Sequence, residues 1–312
     1  MLRFAARRLL AALPVVAAVS VLVFLFLRAS GDPAAELAGE DATPERLAAI
    51  RAALELDLPV WQQFLAWLGQ LLHGEFGRSL ISGDTVARMV GERLEATLSL
   101  ALATMLVSVL LGVGLGMLAA RHRGGWLDRA VGLVCVGGFS VPSFVVGYLL
   151  VWWFAISLGW LPAQGYVRIG EDALEWSRRI ALPAVAMSTV FLALIARITR
   201  ASLLETLDQD YIRTARALGA TEARVFLRVA LRNAAVPIVT IIGVGFGVVL
   251  TGVVVTETVF NLPGLGRLVV EAVLARDYPV IQCVVLLFSV VYVLLNLVVD
   301  LAYAALDPRI RY

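Results

Sequence analysis

Six long apolar runs restrict what this chain can fold into. They cover residues 9–27 and then about 98–120, 130–158, 180–200, 237–258 and 280–303. A helix needs about 20 apolar residues to cross a hydrocarbon core of roughly 30 Å. The 312 residues are 60% hydrophobic, and the mean hydropathy is +0.87. The sequence therefore predicts an all-α integral membrane protein with six transmembrane helices.

The distribution of arginine predicts which side of the membrane each connecting segment faces. All 26 basic residues are arginines, and 15 of them fall in segments 1–8, 121–129, 197–232 and 304–312. Short segments rich in basic residues stay in the cytoplasm. We therefore expect both termini to be cytoplasmic, in a bacterial or archaeal inner membrane. The first run reads as a retained anchor, with a cleaved signal peptide as the competing interpretation.

The runs and the polar segments between them predict a division of the chain. Residues 1–28 form a tail and the first span, 29–97 a small extracytoplasmic helical cap, 98–303 the membrane core with a cytoplasmic loop at 201–236, and 304–312 a cytoplasmic tail. Within the cap, apolar spacing predicts helices over 44–56, 60–72 and 84–94. None of these is long enough to cross a bilayer.

The loop at 201–236 contains the longest polar interruption of the membrane core. Its sequence predicts a short helix from Asp210, a break at Gly219 and a second helix capped by Thr221. Arg224, Arg228 and Arg232 recur every four residues, so they form one basic row on the second helix. A bent amphipathic element of this kind is suited to contact with a partner, although arginines in such a row also reach lipid phosphates.

Glycine and proline predict two further features of the spans. The stretch Gly137-Gly-Phe-Ser-Val-Pro142 is expected to interrupt the third span. Gly112-Val-Gly-Leu-Gly116 and Gly243-Val-Gly-Phe-Gly247 resemble nucleotide-binding loops only superficially, because no strand precedes them. Their spacing favours close helix packing, with a place in a pore lining as the alternative.

Residues able to perform catalysis are scarce. The chain has no lysine, which a phosphate-binding P-loop requires, and only two histidines and two cysteines. No catalytic constellation and no metal site is predicted. Glu257 and Asp300 are the acids within or at the end of spans, where acidic groups are costly and are candidates for function. A structural hydrogen bond is the alternative role for each.

Several motifs resemble the permease subunits of ATP-binding-cassette (ABC) importers, in the dipeptide, oligopeptide and nickel branch. The stretch Asp210-Tyr-Ile-Arg-Thr-Ala-Arg-Ala-Leu-Gly219 is similar to the cytoplasmic EAA loop of such permeases. Arg213 stands where the general pattern has Glu, and the Pro that follows in that pattern is absent. Further similar stretches are Gly31-Asp-Pro33, Thr256-Glu-Thr-Val-Phe260, Pro263-Gly-Leu-Gly266, Ala275-Arg-Asp-Tyr-Pro279 and Leu306-Asp-Pro-Arg-Ile-Arg-Tyr312.

The resemblance implies the fold of a type I importer permease and a set of partners. These are a second homologous permease, usually forming a heterodimer, two ABC ATPases, an extracytoplasmic substrate-binding protein and membrane lipid, with no nucleic acid. ATP and Mg²⁺ would be bound by the ATPases, so no cofactor is expected in this chain. The implied ATPase-coupling residues are Asp210, Tyr211, Arg213, Ala215, Arg216, Ala217, Gly219, Ala220, Arg224 and Arg228. Candidates for the pathway or its gate are Pro142, Glu257, Pro263 and Gly264.

A membrane transporter of another class remains as the alternative. It would be a proton-coupled secondary transporter that uses Glu257 or Asp300 and needs no ATPase. The resemblance favours an importer of peptides or similar small solutes, and the chain itself has no catalytic activity in this interpretation.

Overall fold

The structure is a computed structural model that describes residues 2–30, 34, 43–53 and 56–306. Gly31-Asp-Pro33 and residues 307–312 therefore lie outside the described residues. Within the described part the chain is helical, with one isolated bridge between Arg78 and Thr85 in place of a sheet. The helices are α1 (Leu2–Ser30), α2 (Pro44–Ala53), α3 (Val60–Leu72), α4 (Val86–Arg121), α5 (Trp126–Ser140), α6 (Ser143–Ser157), α7 (Ala173–Leu207), α8 (Asp210–Ala217), α9 (Glu222–Asn233), α10 (Ala235–Val259), α11 (Leu265–Leu274) and α12 (Tyr278–Leu306).

Helix lengths within the described residues allow four to six membrane crossings. Helices α1, α4, α7 and α12 are each long and apolar enough to cross alone. Two bent pairs, α5 with α6 and α9 with α10, raise the number to six if each pair counts as one span. The all-α membrane fold is confirmed, and the count of six stays a prediction.

The predicted interruption of the third span is confirmed. Helix α5 ends at Ser140, α6 begins at Ser143, and the two are bent by 104°. Val141 is extended, at φ −98° and ψ 120°, because a residue that precedes proline is disfavoured in the helical region. Pro142 then lies at the N-cap of α6, where the backbone needs no N–H from it.

Contacts divide the chain into two compact units. The first unit comprises Met1–Ala5, Ala96–Pro263 and Leu294–Tyr312, and the second comprises Ala6–Glu95 and Gly264–Val293. In the first unit α7 is the central helix, packed against α5, α6 and α10. Most of its apolar stretch is buried, which explains why α7 is the least apolar of the four helices that could cross alone.

Close helix packing at glycine is confirmed on α4. A Cβ at Gly112 would lie 2.9 Å from Ile195, and one at Gly116 would lie 2.6 Å from both the Ala196 oxygen and Thr199 Cβ. A Cβ at Gly114, between them, would meet nothing within 4 Å. Helix α7 therefore packs on the face of α4 that carries the first and third glycines.

The second unit has its own apolar core. It includes Leu27, Val86, Leu265, Leu268 and Val284. The buried carboxylate of Asp277 accepts a hydrogen bond from the Ser79 hydroxyl and another, at 3.1 Å, from the Leu80 backbone N–H. These bonds fix the loop before α4 to the turn between α11 and α12.

The prediction of a separate cap helix over residues 84–94 is wrong. Instead of a helix over 84–94, residues Val86–Arg121 form the single helix α4. No proline interrupts this stretch, and the sequence Glu92-Arg-Leu-Glu-Ala96 consists of good helix formers. The helix is also held at its start, where Arg93 contacts Glu271 of α11 at 3.0 Å. The predicted helices at 44–56 and 60–72 correspond to α2 and α3.

Candidate functional site

The α8–α9 hairpin, residues 210–233, has the helix–break–helix form that the sequence predicts. Gly219 has a φ of +82°, in the left-handed region that favours glycine. The Gly219 N–H donates to the Arg216 carbonyl at 2.9 Å, and the Ala220 N–H donates to the Ala215 carbonyl at 3.1 Å. This pair of bonds is the Schellman motif, which satisfies the carbonyls at the end of α8. Thr221 caps α9 by accepting from the Arg224 N–H at 3.4 Å.

An apolar cluster fixes the hairpin to the first unit. Ile212 of α8 and Val225 and Ala230 of α9 are fully buried. They pack with Leu203 near the end of α7 and with Ala120 near the end of α4. Burying an aliphatic side chain of this size contributes about 1.5–3 kcal/mol. The hairpin is therefore a packed part of the unit, in contact with the ends of α4 and α7.

The opposite side of the hairpin is exposed and basic. The exposed coupling candidates are Asp210, Tyr211, Arg213, Arg216, Ala217, Gly219, Arg224 and Arg228, while Ala215 and Ala220 are half-buried. Arg232 is exposed as well, so the predicted arginine row is present on α9. Residues Val225–Ala230 within this helix have π-helical hydrogen bonds, a local geometry that often occurs at functional sites.

Leu218 is a feature of this surface that the sequence reasoning missed. It directly precedes Gly219, and 83% of its surface is exposed. Exposure of a large apolar side chain to water is unfavourable, and such a side chain at the tip of a basic hairpin is typical of a surface that binds another protein. No local signal identifies it, because apolar side chains are buried on average and only packing decides which of them are exposed.

Two ion pairs hold the exposed side of the hairpin. Arg216 donates to both carboxylate oxygens of Glu222, at 2.7 and 3.2 Å, across the break at Gly219. Those hydrogen bonds and the negative charge of Glu222 raise the pKa of the Arg216 guanidinium above its usual value. Arg213 contacts Asp210 at 3.3 Å within α8. Arg224, Arg228 and Arg232 form no ion pair within the described part of the chain.

The four pathway candidates have different surroundings. Pro142 lies at the break between α5 and α6 and is exposed, as is Pro263, whereas Gly264 is buried. Glu257 is 0% exposed, and its Oε1 accepts a hydrogen bond from the Thr97 hydroxyl at 2.6 Å. Glu257 thus lies between α4 and α10 in this conformation, and its role in a pathway stays a prediction. Asp300, on α12, is half-buried.

A further contact positions the segment that follows Glu257. Phe260 is buried against Gly147 of α6, where an added Cβ would lie 3.0 Å from the phenyl ring. The Phe260 carbonyl accepts from the Gly165 N–H at 3.1 Å. Among the described residues no three His, Cys, Asp or Glu side chains come together as a metal site.

Comparison with known proteins gives consistent matches along the whole chain. The family described as "Binding-protein-dependent transport system inner membrane component" matches residues 112–312, and the corresponding N-terminal family matches residues 1–101. The "Probable peptide ABC transporter permease protein y4tP" of Sinorhizobium fredii is 50% identical over 307 residues, covering 98% of each chain. The "Glutathione transport system permease protein GsiC" of Escherichia coli K12 is 44% identical over 313 residues, covering 100% of each.

Solved structures with a similar fold are transporters too. An inward-facing structure of the MetNI methionine ABC transporter matches with a TM-score of 0.59 and 18% identity, covering 71% of this chain and 97% of that one. An amino acid ABC transporter crystallised with histidines matches with a TM-score of 0.54 and 17% identity, covering 70% and 94%. At these identities the matches show the fold alone.

Proposed function

Because the chain belongs to the family of binding-protein-dependent transport system inner membrane components, we propose that ATPase subunits move it through the α8–α9 hairpin. The chain is a transmembrane permease subunit of an ABC importer and a multi-pass protein of the inner membrane. Its family is a family of transporter permeases and not of enzymes. What remains to be assigned is the element that couples, the partners and the solute.

The observation that carries the proposal is the two-sided construction of the hairpin. One side is buried in the cluster of Ile212, Val225 and Ala230, and the other presents Leu218 and the arginine row. Movement of the exposed side is therefore transmitted to α4 and α7 through close packing, which deforms little. This arrangement suits docking of Leu218 into an apolar groove of an ATPase, with Arg224 and Arg228 against acidic groups at its rim.

The composition supports a division of labour between subunits. The chain contains no lysine for a P-loop, so ATP and Mg²⁺ are assigned to two partner ATPases. A second homologous permease supplies the other half of the pathway, and an extracytoplasmic binding protein delivers the solute. The arginine-rich segments support a cytoplasmic position for both termini and the hairpin.

The names of two relatives support a class of solute. One relative is named as a probable peptide permease and another as a glutathione permease, and glutathione is itself a small peptide. We assign small peptides to this importer on that basis. The ATPases would contact the hairpin differently in their open and closed states. Their closure would thereby shift the permease pair from the inward-open to the outward-open state.

Charge and apolar variants of the hairpin test the proposal. Leu218→Gln and the double variant Arg224→Glu/Arg228→Glu are produced with the partner subunits, and the ATPases that co-purify are quantified. Loss of one buried leucine contact costs about 1.5–3 kcal/mol, so association is expected to weaken roughly tenfold or more. ATP-driven peptide uptake into proteoliposomes should fall in parallel.

Leu174→Gln is the matched control. Leu174 is also on an exposed surface of the first unit, at 70% exposure, but it lies at the start of α7, far in sequence from the hairpin. Its co-purification and uptake should match the unmodified chain. Undiminished ATPase association in both hairpin variants would show that their side chains contact lipid instead.

The proton-coupled alternative is not supported by the family. Binding-protein-dependent importers act with ATPases, and Glu257 is enclosed by protein in this conformation. Uptake by the reconstituted complex should therefore require ATP and persist without a pH gradient.

A further inference from the structure

An open groove in the first unit is lined by α5 and α7 beside the line along which these helices pack, away from the α8–α9 hairpin. Its volume is about 400 Å³. The wall formed by α5 is apolar and includes Gly132, Cys135, Val136 and Phe139. These residues recur with the spacing of one helix face. From Asp128 to Phe139 the wall extends about 16 Å at 1.5 Å per residue, close to half of a roughly 30 Å hydrocarbon core.

Three arginines surround one end of this groove. Arg200 is held by Asp128 through two hydrogen bonds, Nε to Oδ1 at 2.5 Å and Nη2 to Oδ2 at 2.8 Å. Asp128 is buried and is itself oriented by the Gly124 N–H at 2.9 Å. Arg200 therefore has a fixed orientation, with guanidinium N–H groups left over for another acceptor.

The other two arginines leave the groove with excess positive charge. Arg197 precedes Arg200 by three residues on α7, so the two lie on the same helix face. Arg129 follows Asp128 in the first turn of α5 and also lines the groove. Within the described residues neither Arg129 nor Arg197 forms an ion pair. Three guanidiniums and one carboxylate give a local charge of about +2 at the end of an apolar wall.

We propose that this groove binds an anionic phospholipid. Guanidinium groups match phosphate oxygens in charge and in geometry, and neither Arg129 nor Arg197 has an anionic partner in the part of the chain that the structure describes. The apolar wall continues from the charged end along α5, one of the helices of the broken span, as an acyl chain continues from its headgroup. Basic pockets between transmembrane helices bind lipid headgroups by the same combination of charge and apolar surface. A cation or a wholly apolar solute would not match this charge.

The complete importer complex, purified in detergent, is the material for the test. Native mass spectrometry measures lipid retained after exchange with phosphatidylglycerol, with phosphatidylcholine of the same acyl chains, or with glycerol phosphate. Phosphatidylglycerol is expected to be retained in preference to the other two. The first comparison isolates the net negative charge, and the second isolates the acyl chains.

Two variants separate the charged end from the apolar wall. In Arg129→Gln/Arg197→Gln, affinity for phosphatidylglycerol should fall about fivefold for each arginine removed. In Gly132→Leu the new side chain enters the groove, because a Cβ at Gly132 meets no atom within 4 Å. Binding should then fall for every lipid with acyl chains, while the fold is retained.

Each variant has a matched control outside the groove. Arg46→Gln/Arg88→Gln removes two exposed arginines of the second unit, and Gly114→Leu adds the same side chain at an equally open glycine of α4. Both should retain phosphatidylglycerol as the unmodified complex does.

Three results would overturn the proposal. One is equal retention of phosphatidylcholine and phosphatidylglycerol, and another is binding of glycerol phosphate as tight as that of the lipid, which would indicate a soluble anion. The third is dissociation of the permease pair in Gly132→Leu with unchanged lipid binding, which would show that a second permease covers the groove.

Discussion

Replacing Gly116 by alanine tests how closely α4 and α7 are packed. The new Cβ would lie 2.6 Å from the Ala196 carbonyl oxygen, 2.6 Å from Thr199 Cβ and 2.9 Å from Thr199 Cγ2. Carbon atoms pack best at about 3.5–4.0 Å, so the overlap with Thr199 is about 1 Å. The Ala196 oxygen and Thr199 Cβ are fixed to the α7 backbone and cannot rotate away.

The matched variant Gly114→Ala allows the cost to be separated from helix propensity. Gly114 lies two residues earlier on the same helix, where a Cβ meets nothing within 4 Å. Alanine stabilises a helix by up to about 1 kcal/mol relative to glycine, and this gain applies to both variants. Overpacking costs about 1–3 kcal/mol, so Gly116→Ala should be less stable than Gly114→Ala by about that amount.

Thermal unfolding of the two purified variants in the same detergent and at the same heating rate measures this difference. A change of 1 kcal/mol shifts the midpoint by roughly 2–4 °C for a protein of about 150–250 residues, and by about 2 °C at the length of this chain. The Gly116→Ala midpoint is therefore expected several degrees below that of Gly114→Ala. Equal midpoints would refute the close contact between α4 and α7.

Three further substitutions test the hairpin, the buried glutamate and the second unit. Gly219→Val should reduce ATP-driven uptake while Gly219→Asn preserves it, because the left-handed backbone costs an ordinary residue about 1–2 kcal/mol and asparagine less; equal uptake by the two, at equal amounts in the membrane, would contradict a need for this conformation. Glu257→Gln keeps an oxygen for the Thr97 hydroxyl and should transport normally, whereas Glu257→Leu should lose about 1–3 kcal/mol of stability; loss of uptake in Glu257→Gln, with its unfolding midpoint unchanged, would indicate a protonation role instead. Asp277→Ala leaves the buried Ser79 hydroxyl without its acceptor and should lower the unfolding midpoint by several degrees, and an unchanged midpoint would show that the loop before α4 is held by other contacts.

Local chemistry explains which features of the fold could be predicted. Pro142 interrupts a helix in any surroundings, because proline restricts the residue before it and has no N–H to donate. Gly219 ends α8 for a similar reason, since glycine adopts a positive φ at little cost. The apolar runs predict membrane helices because hydrocarbon excludes unpaired backbone groups.

The errors and omissions have a physical cause as well. The separate cap helix at 84–94 is wrong because no local signal marks a boundary where one helix continues from a polar into an apolar stretch. Leu218 was not singled out, since apolar side chains are buried on average and only packing decides which of them are exposed. The partner of Asp128 is 72 residues away, and no local pattern links them.

By itself the sequence determined the all-α membrane class, the helix breaks at Pro142 and Gly219 and the family, because each depends on residue chemistry within a few turns or on whole-chain similarity. Tertiary structure alone decided which faces meet. It placed Gly116, but not Gly114, against α7, enclosed Glu257 with Thr97, and left the Arg129 and Arg197 side chains beside an apolar groove. The reason is that burial and pairing depend on helices distant in sequence, and the residues of one helix do not specify which other helix packs against them.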